Sequence, residues 1–322
     1  MTEVPKAELH VHLEGTAPPD LIRRIAERNG LPVPEGVFAA PDRFAYTDFL
    51  DFLNTYDKAA SVIRTGDDYR DIAYEYLTAC AAEGAIYVEL TASPDHARLV
   101  GLSDDEHLDG IARGIDDARA GSGIEARILI SCVRNFGVEP ALRVARYAAE
   151  RPHPYVVGFS MAGDEENYPP AAYAEAFQIA DEAGLGCTVH AGEWAGPESV
   201  REALRLPVSR ISHGVRSIED PALVEELAER GTVLEVCPTS NVVLGIYPSY
   251  EEHPLPRLVD EGVRVTLGSD DPPYFGASVG GEYAICGDRF GFDDDALRGI
   301  TRTAIEAAFC DETLKGSLIQ NR

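Results

Sequence analysis

Residues 171–193, AAYAEAFQIADEAGLGCTVHAGE, contain a helix pattern and a strand pattern in direct succession. In residues 171–184 apolar side chains recur at spacings of three and four, and the segment ends in glycine, a common helix C-terminal signal. Residues 184–192 form a short apolar run, as expected of a strand that is buried on both faces. A helix followed by a buried strand is the repeating unit of proteins with a parallel sheet.

The same alternation extends along the whole chain, and DPALVEELAERG (220–231) is a second clear helix pattern. The eight predicted strands are residues 6–13, 85–93, 125–133, 155–163, 184–192, 209–214, 231–238 and 262–270. Eight strand–helix repeats predict a (β/α)8 barrel, the TIM-barrel fold, which we expect to occupy residues 1–322 as one domain.

The segment between the first two predicted strands, roughly residues 16–84, exceeds an ordinary crossover and indicates a helical insertion. One part of it, YTDFLDFLNTYDKAASVI, has apolar residues at helical spacing: Phe49, Phe52, Leu53 and Tyr56. Such a stripe usually packs against the core. The alternative is a helical lid over the mouth of the barrel, for which Phe49, Leu50 and Leu53 are the candidate residues.

Composition narrows the class of function. The 322 residues include 28 Lys and Arg against 55 Asp and Glu, a formal charge of −27, which argues against nucleic acid or anionic membranes as partners. No apolar run reaches the length of about 18 residues that a membrane span needs, and the N-terminus lacks a signal-peptide pattern, so we expect a cytoplasmic protein.

The six cysteines form no C-x-x-C pair and are predicted to be buried free thiols. The oligomeric state, monomer or homo-oligomer, is left open.

Five predicted strands end in residues suited to metal binding or acid–base chemistry. They are His10, His12 and Glu14 after the first strand, Gly163 and Asp164 after the fourth, His190 and Glu193 after the fifth, His213 after the sixth, and Asp270 and Asp271 after the eighth. Active sites of TIM barrels form at this end of the strands, so these residues are expected to share one pocket.

Four of these residues make a plausible metal site. His10, His12 and His190 supply imidazole nitrogens and Asp270 supplies a carboxylate, a set that suits one Zn²⁺ per chain, although another divalent transition metal could bind. Such a site lowers the pKa of a bound water to about 7.

The remaining residues form an acid–base set around this site. Glu193 lies near it without being a ligand, and His213 and Asp271 are left to orient or deprotonate a water. This combination indicates hydrolysis.

The motifs HVHLEG, AGDE, HAGE, RISHG, CPTSN and SDDPP, in this order, resemble the adenosine deaminase family of the metal-dependent amidohydrolase superfamily. The resemblance implies hydrolytic deamination of a 6-aminopurine. It assigns Glu193 to protonating purine N1, His213 to holding and helping to deprotonate the attacking water, and Asp271 to bonding that water or N7. It assigns the Gly163 N–H to N3 and implies that the four metal-site residues above bind zinc.

The substrate is less well defined by these motifs. Glu14 stands where adenosine deaminases usually have an aspartate that contacts the ribose, as in adenine deaminases and related bacterial subgroups, whereas AGDE resembles the nucleoside enzymes. We therefore expect adenosine or deoxyadenosine first, and adenine or an N6-substituted adenine as the alternative. A barrel that binds purines without turnover is the remote alternative.

Overall fold

The computed structural model describes residues 4–320 and contains an eight-stranded parallel sheet whose strand order follows the chain. Its strands are β1 Lys6–Glu8, β2 Ala85–Ala92, β3 Glu125–Val133, β4 Val156–Ala162, β5 Gly186–Ala191, β6 Arg210–His213, β7 Val233–Val236 and β8 Arg264–Leu267. Each overlaps one predicted strand, which confirms the TIM-barrel prediction.

The barrel closes between β1 and β8 through residues just beyond both strands. Val11 pairs with Asp270 in a single parallel bridge, the His12 N–H donates to the Asp270 carbonyl at 2.9 Å, and the Asp270 N–H donates to the His10 carbonyl at 3.2 Å. The first and last segments of the barrel therefore meet at the predicted metal ligands.

The α-helices surround this sheet. They are α1 Pro19–Arg28, α2 Phe49–Ala60, α3 Gly66–Ala82, α4 Pro94–Leu99, α5 Asp104–Ser122, α6 Val138–Glu150, α7 Ala174–Glu182, α8 Pro197–Ala203, α9 Pro221–Arg230, α10 Pro238–Val243, α11 Leu255–Asp260, α12 Pro272–Phe275, α13 Val279–Phe290, α14 Asp294–Ala307 and α15 Glu312–Gln320.

Helix α9 shows how local sequence sets these boundaries. Asp220 accepts hydrogen bonds from the N–H groups of Ala222 and Leu223, Pro221 occupies the first turn, and Gly231 ends the helix with φ of +66°. One face of the helix is buried against the barrel through Leu223, Val224 and Leu227.

The helical insertion between β1 and β2 is present. It comprises α1, a pair of short antiparallel strands at Phe38–Ala40 and Arg43–Phe44, α2 and α3. Asp48 caps α2 by accepting from the Asp51 N–H, and a capping box between Thr65 and Asp68 begins α3.

The first strand is shorter than predicted, because 6–13 contains only three ladder residues. Beyond Glu8 the chain stays between its neighbours but pairs with them only through single bridges, His12 with Thr91 and Val11 with Asp270. All six cysteines are buried and free, as predicted. Within residues 4–320, no helix is long and apolar enough to cross a bilayer.

Candidate active site

A cavity opens at the C-terminal ends of the barrel strands. The last residues of the strands or the segments after them contribute to its wall for all eight strands: His12, Glu14, Thr91, Ser93, Ser131, Val133, Ala162, Gly163, His190, Glu193, His213, Leu244, Asp270 and Asp271. Helix α2 covers one side. The cavity has the position that TIM-barrel enzymes use for catalysis.

The four predicted metal ligands converge on one point of this cavity. His12 Nε2 lies 3.2 Å from His190 Nε2, and Asp270 Oδ1 lies 3.4 Å from His10 Nε2 and 3.3 Å from His12 Nε2. Metal bonds of about 2.0–2.2 Å in a tetrahedral site place ligand atoms roughly 3.3–3.6 Å apart. These three spacings match that geometry, and donor atoms of His10, His190, His213 and Asp270 also lie within 4.8 Å of one another, so His213 borders the same point.

Hydrogen bonds behind the ligands turn their donor atoms towards this point. His10 Nδ1 donates to the Glu235 carbonyl at 3.2 Å and His190 Nδ1 donates to the Met161 carbonyl at 3.0 Å, which leaves both Nε2 atoms free. Buried His10 Nε2 has no hydrogen-bond partner among residues 4–320. Such outer contacts commonly orient metal-binding histidines.

The electrostatics of the cluster favour a positive charge at its centre. Burial opposes ionisation of Asp270, but the adjacent imidazoles of His10 and His12 outweigh it and hold the Asp270 pKa well below its usual range. Burial and the neighbouring imidazoles hold the pKa of His190 well below its usual value. An ionised carboxylate and a neutral imidazole are the forms that bind a metal.

Glu193 is placed in the cavity wall as predicted. It is buried, and its Oε2 lies 3.7 Å from His213 Nε2. Burial, together with the negative charges of Asp270 and Glu165, raises the pKa of Glu193 well above its usual range. A protonated carboxyl here is able to donate to a ligand.

Asp271 follows directly on Asp270, a predicted metal ligand, and its Oδ1 is buried without a hydrogen-bond partner among the described residues. Burial and the charge of Asp270 raise the pKa of Asp271. A Cβ at Gly15 would lie 1.8 Å from Asp271 Oδ1, so the glycine of HVHLEG makes room for this carboxylate.

A chain of hydrogen bonds fixes the tautomer of His213. The Leu255 N–H donates to His253 Nδ1 at 3.2 Å, so His253 carries its hydrogen on Nε2 and donates it to Asn241 Oδ1 at 3.1 Å. The Asn241 amide then donates to His213 Nδ1 at 3.2 Å. Because burial, with the nearby His10, lowers the pKa of His213 to about 3, the ring is neutral and its hydrogen lies on Nε2.

Two non-glycine residues of the site have left-handed backbone conformations, His213 with φ of 61° and Asp270 with φ of 64°. Gly163 has φ of 108°, and a Cβ there would lie 2.2 Å from Asn135 Oδ1. Gly163 therefore has to be glycine for the chain to enter the cavity wall in this way.

Glu14 is buried where the cavity meets α2. Its carboxylate accepts from the Ser93 N–H at 3.2 Å and from Tyr56 Oη at 3.4 Å. Burial would raise the pKa of Glu14, but contacts with His107 and His96 outweigh burial and lower it. The cavity therefore has a second, ionised carboxylate besides Asp270.

Helix α2 presents Phe49, Phe52, Leu53 and Tyr56 to the cavity. Leu50 does not belong with them, which corrects the set of lid candidates: it is 60% exposed, because one residue of helix rotates it about 100° away from Phe49. The Phe49 ring lies 4.8 Å from that of Trp194, next to Glu193. The lid itself stays a prediction.

Several residues around the site were not singled out from the sequence. Ser240 Oγ donates to Asp270 Oδ2 at 2.6 Å, and Asn241 contacts His213; both belong to the CPTSN motif, which signalled the segment without giving these roles. Glu165 binds the backbone that carries Glu193. Asp164, listed among the strand ends, binds Asn167 through both carboxylate oxygens and so holds its own turn.

The chain is also similar to known deaminases of adenine and adenosine. The family model described as "Adenosine deaminase" matches residues 5–321. The adenine deaminase of Chelativorans sp. (strain BNC1) is 50% identical over 314 residues, covering 97% of this chain and 96% of that protein.

Two solved structures are also similar. The adenine deaminase from Arthrobacter aurescens has a TM-score of 0.90 at 30% identity and covers 98% of this chain and 97% of its own. An amidohydrolase from Burkholderia ambifaria with bound Zn has a TM-score of 0.89 at 27% identity and covers 99% of this chain and 89% of its own.

Proposed function

The chain belongs to the adenosine deaminase family and is a hydrolytic deaminase of a 6-aminopurine, and from this premise we propose that its substrate is the free base adenine. The reaction would convert adenine and water to hypoxanthine and ammonia. The observation that carries the proposal is the 50% identity to an adenine deaminase across nearly the full length of both chains. Adenine therefore replaces adenosine, which AGDE alone had favoured, as the first choice.

The surroundings of Glu14 support a free base. The imidazole ring of adenine carries an N–H, and in a nucleoside the sugar takes the place of that hydrogen. An ionised carboxylate is a strong acceptor for such an N–H donor. Tyr56 and Ser93 hold the Glu14 carboxylate in the wall of the cavity. A ribose in this place would meet the carboxylate and the aromatic face of α2 without offering that N–H.

His10, His12, His190 and Asp270 are proposed to hold one Zn²⁺, supported by the fit of their donor-atom spacing to a tetrahedral site. A bound Zn²⁺ would supply a water that is acidic enough to react at neutral pH. The bound Zn in the Burkholderia ambifaria amidohydrolase favours this ion over other divalent metals.

The proposed roles of the other residues follow from their protonation. Glu193, protonated because of its burial, donates to purine N1, and the ring can then accept the electron pair released as the water oxygen adds to C6. In the ionised form that a bound cation would favour, Asp271 accepts a proton from the water and returns it to the amino group, which leaves as ammonia when the C6–N bond breaks. The remaining hydroxyl proton passes to Glu193, which restores its protonated form, and C6 becomes a carbonyl. The Gly163 N–H is assigned to N3.

His213 has a different role here from the one implied by the motif. Its Nε2 carries a hydrogen and has no free electron pair, because Asn241 occupies Nδ1 as a donor. We therefore assign His213 to holding the water oxygen by donating a hydrogen bond, and leave the acceptance of the proton to Asp271.

Formation of the 6-oxopurine product from adenine, adenosine, deoxyadenosine and N6-methyladenine tests the substrate. We expect kcat/KM for adenine to exceed that for adenosine by more than about tenfold, a difference of about 1.4 kcal/mol in transition-state binding. A tenfold preference for adenosine would refute the assignment to the free base. Elemental analysis of the same preparation tests the zinc assignment.

A further inference from the structure

Glu165 binds the loop that carries Glu193 without facing the cavity. Its carboxylate accepts from the N–H groups of Glu193, Trp194 and Ala195 at 3.1, 2.9 and 3.1 Å, and also from that of Gly192. Four consecutive backbone donors thus converge on one side chain. Glu165 is 2% exposed and is not among the residues that line the cavity.

The opposite side of the same loop is also fixed. The Arg216 N–H donates to the Gly192 carbonyl at 2.9 Å, and the Arg216 guanidinium donates to the Trp194 carbonyl. Gly192 has φ of +70°, and a Cβ there would lie 2.4 Å from Val200. The loop 192–195 is therefore held from two sides in one conformation.

We propose that Glu165 is the positioning residue of Glu193: by binding the N–H groups of 192–195 it fixes the backbone from which the Glu193 carboxyl reaches the substrate. The inference rests on the proposed role of Glu193 in deamination. It assigns a function to the last residue of the AGDE motif, whose glycine and aspartate lie in the cavity wall and in a local turn.

Glu165→Gln is the sharpest perturbation. The amide keeps the size of the side chain and one acceptor oxygen, but it turns an NH₂ group towards backbone donors, so the loop has to move. A displacement of about 1 Å in a catalytic group costs on the order of 10²-fold in rate. We expect kcat to fall by about 10- to 100-fold, with KM within about threefold, since Glu165 does not touch the substrate.

A double-mutant cycle with Glu193→Gln separates positioning from general destabilisation. If Glu165 acts through Glu193, Glu165→Gln should lower kcat by less than about threefold when residue 193 is already glutamine. Equal losses in both backgrounds, or no loss in the wild-type background, would overturn the proposal. Glu166→Gln removes the neighbouring exposed carboxylate and serves as the matched control.

Trp194 provides a readout that does not depend on turnover, because it is the single tryptophan of the chain and lies in the loop. Glu165→Gln should shift its emission or increase its quenching by acrylamide, whereas Glu166→Gln should not. Emission identical to wild type in Glu165→Gln would contradict the proposal. If Glu165→Gln fails to fold, Glu165→Asp, which keeps the charge but reaches less far, replaces it in both measurements.

The cycle is run with whichever 6-aminopurine the wild type deaminates fastest. A wrong assignment of adenine therefore appears in the substrate screen and leaves the test of Glu165 intact. Metal content is measured for every variant and should equal that of the wild type, since Glu165 contacts none of the proposed ligands' side chains.

Discussion

Replacement of Glu193 by glutamine is expected to remove turnover while leaving the metal and the fold in place. Burial raises the pKa of Glu193 well above its usual range, so a neutral amide of the same size matches the charge of the protonated side chain. Glutamine can still donate a hydrogen bond to N1, but it cannot transfer a proton. A positioned proton donor contributes about 10²- to 10⁴-fold, so the barrier should rise by about 2.7–5.4 kcal/mol.

The stability of this variant should change far less than its rate. The Glu193 side chain contacts His213 at 3.7 Å and interacts with Trp194, and neither is one of the four proposed ligands. We expect the free energy of unfolding to stay within about 1 kcal/mol of the wild type. If Glu193 only stabilised its loop, Glu193→Gln would instead change the free energy of unfolding and leave the activity intact.

The assay follows ammonia release at saturating adenine, with elemental analysis and urea unfolding of the same preparations. Glu198→Gln is the control, because Glu198 belongs to the adjacent helix and is 73% exposed. A kcat for Glu193→Gln within fivefold of the control would refute the role of Glu193 as the acid. Loss of metal from Glu193→Gln would instead make Glu193 a ligand.

Three further predictions concern the metal, the substrate and the pH dependence of stability. His190→Ala should lose metal and activity together; full metal occupancy in this variant, by elemental analysis, would remove His190 from the ligand set. Glu14→Asp shortens the side chain and so draws the carboxylate away from the base. The ratio of kcat/KM for adenosine to kcat/KM for adenine should therefore rise; an unchanged ratio would mean that Glu14 does not face the N9 position. Burial raises the pKa of Glu282 to about 8, so the folded chain retains a proton that an unfolded glutamate releases near 4.5, and stability should fall as pH rises between these values. Glu282→Gln keeps an acceptor for the Thr239 N–H and should remove a slope of at most about 1.4 kcal/mol per pH unit, measured by urea unfolding at pH 5.5 and 7.5.

The fold could be predicted from local pattern because each buried strand is continuous in sequence. The fourth strand, predicted at 155–163, spans Val156–Ala162, and the fifth, predicted at 184–192, spans Gly186–Ala191. The first strand was overestimated since an extended, apolar segment has the same pattern whether or not a neighbour pairs with it. In the structure, Val11 pairs with Asp270 through a single bridge, and the sequence does not reveal this.

The site was predictable where its residues follow strands directly, and less so where a contact spans distant segments. The carboxylate of Glu165 meets backbone groups 27 to 30 residues later, and His253 acts on His213 through Asn241. No spacing rule relates these residues. The inclusion of Leu50 has a different origin: Leu50 adjoins Phe49 in sequence, but the rotation of about 100° per helical residue places it on another face of α2, where it is exposed.

The left-handed backbones of His213 and Asp270 have a consequence for laboratory evolution. Each conformation costs about 1 kcal/mol or more in a residue with a Cβ, and glycine would remove that cost. Both side chains are buried, and glycine would leave a cavity and remove the hydrogen-bond partners of Asn241 and Ser240, which costs more than the strain it relieves. A library selected only for survival at high temperature should therefore retain His213 and Asp270. Their retention then reports folding rather than catalysis, so every round has to be screened for ammonia release as well as for survival.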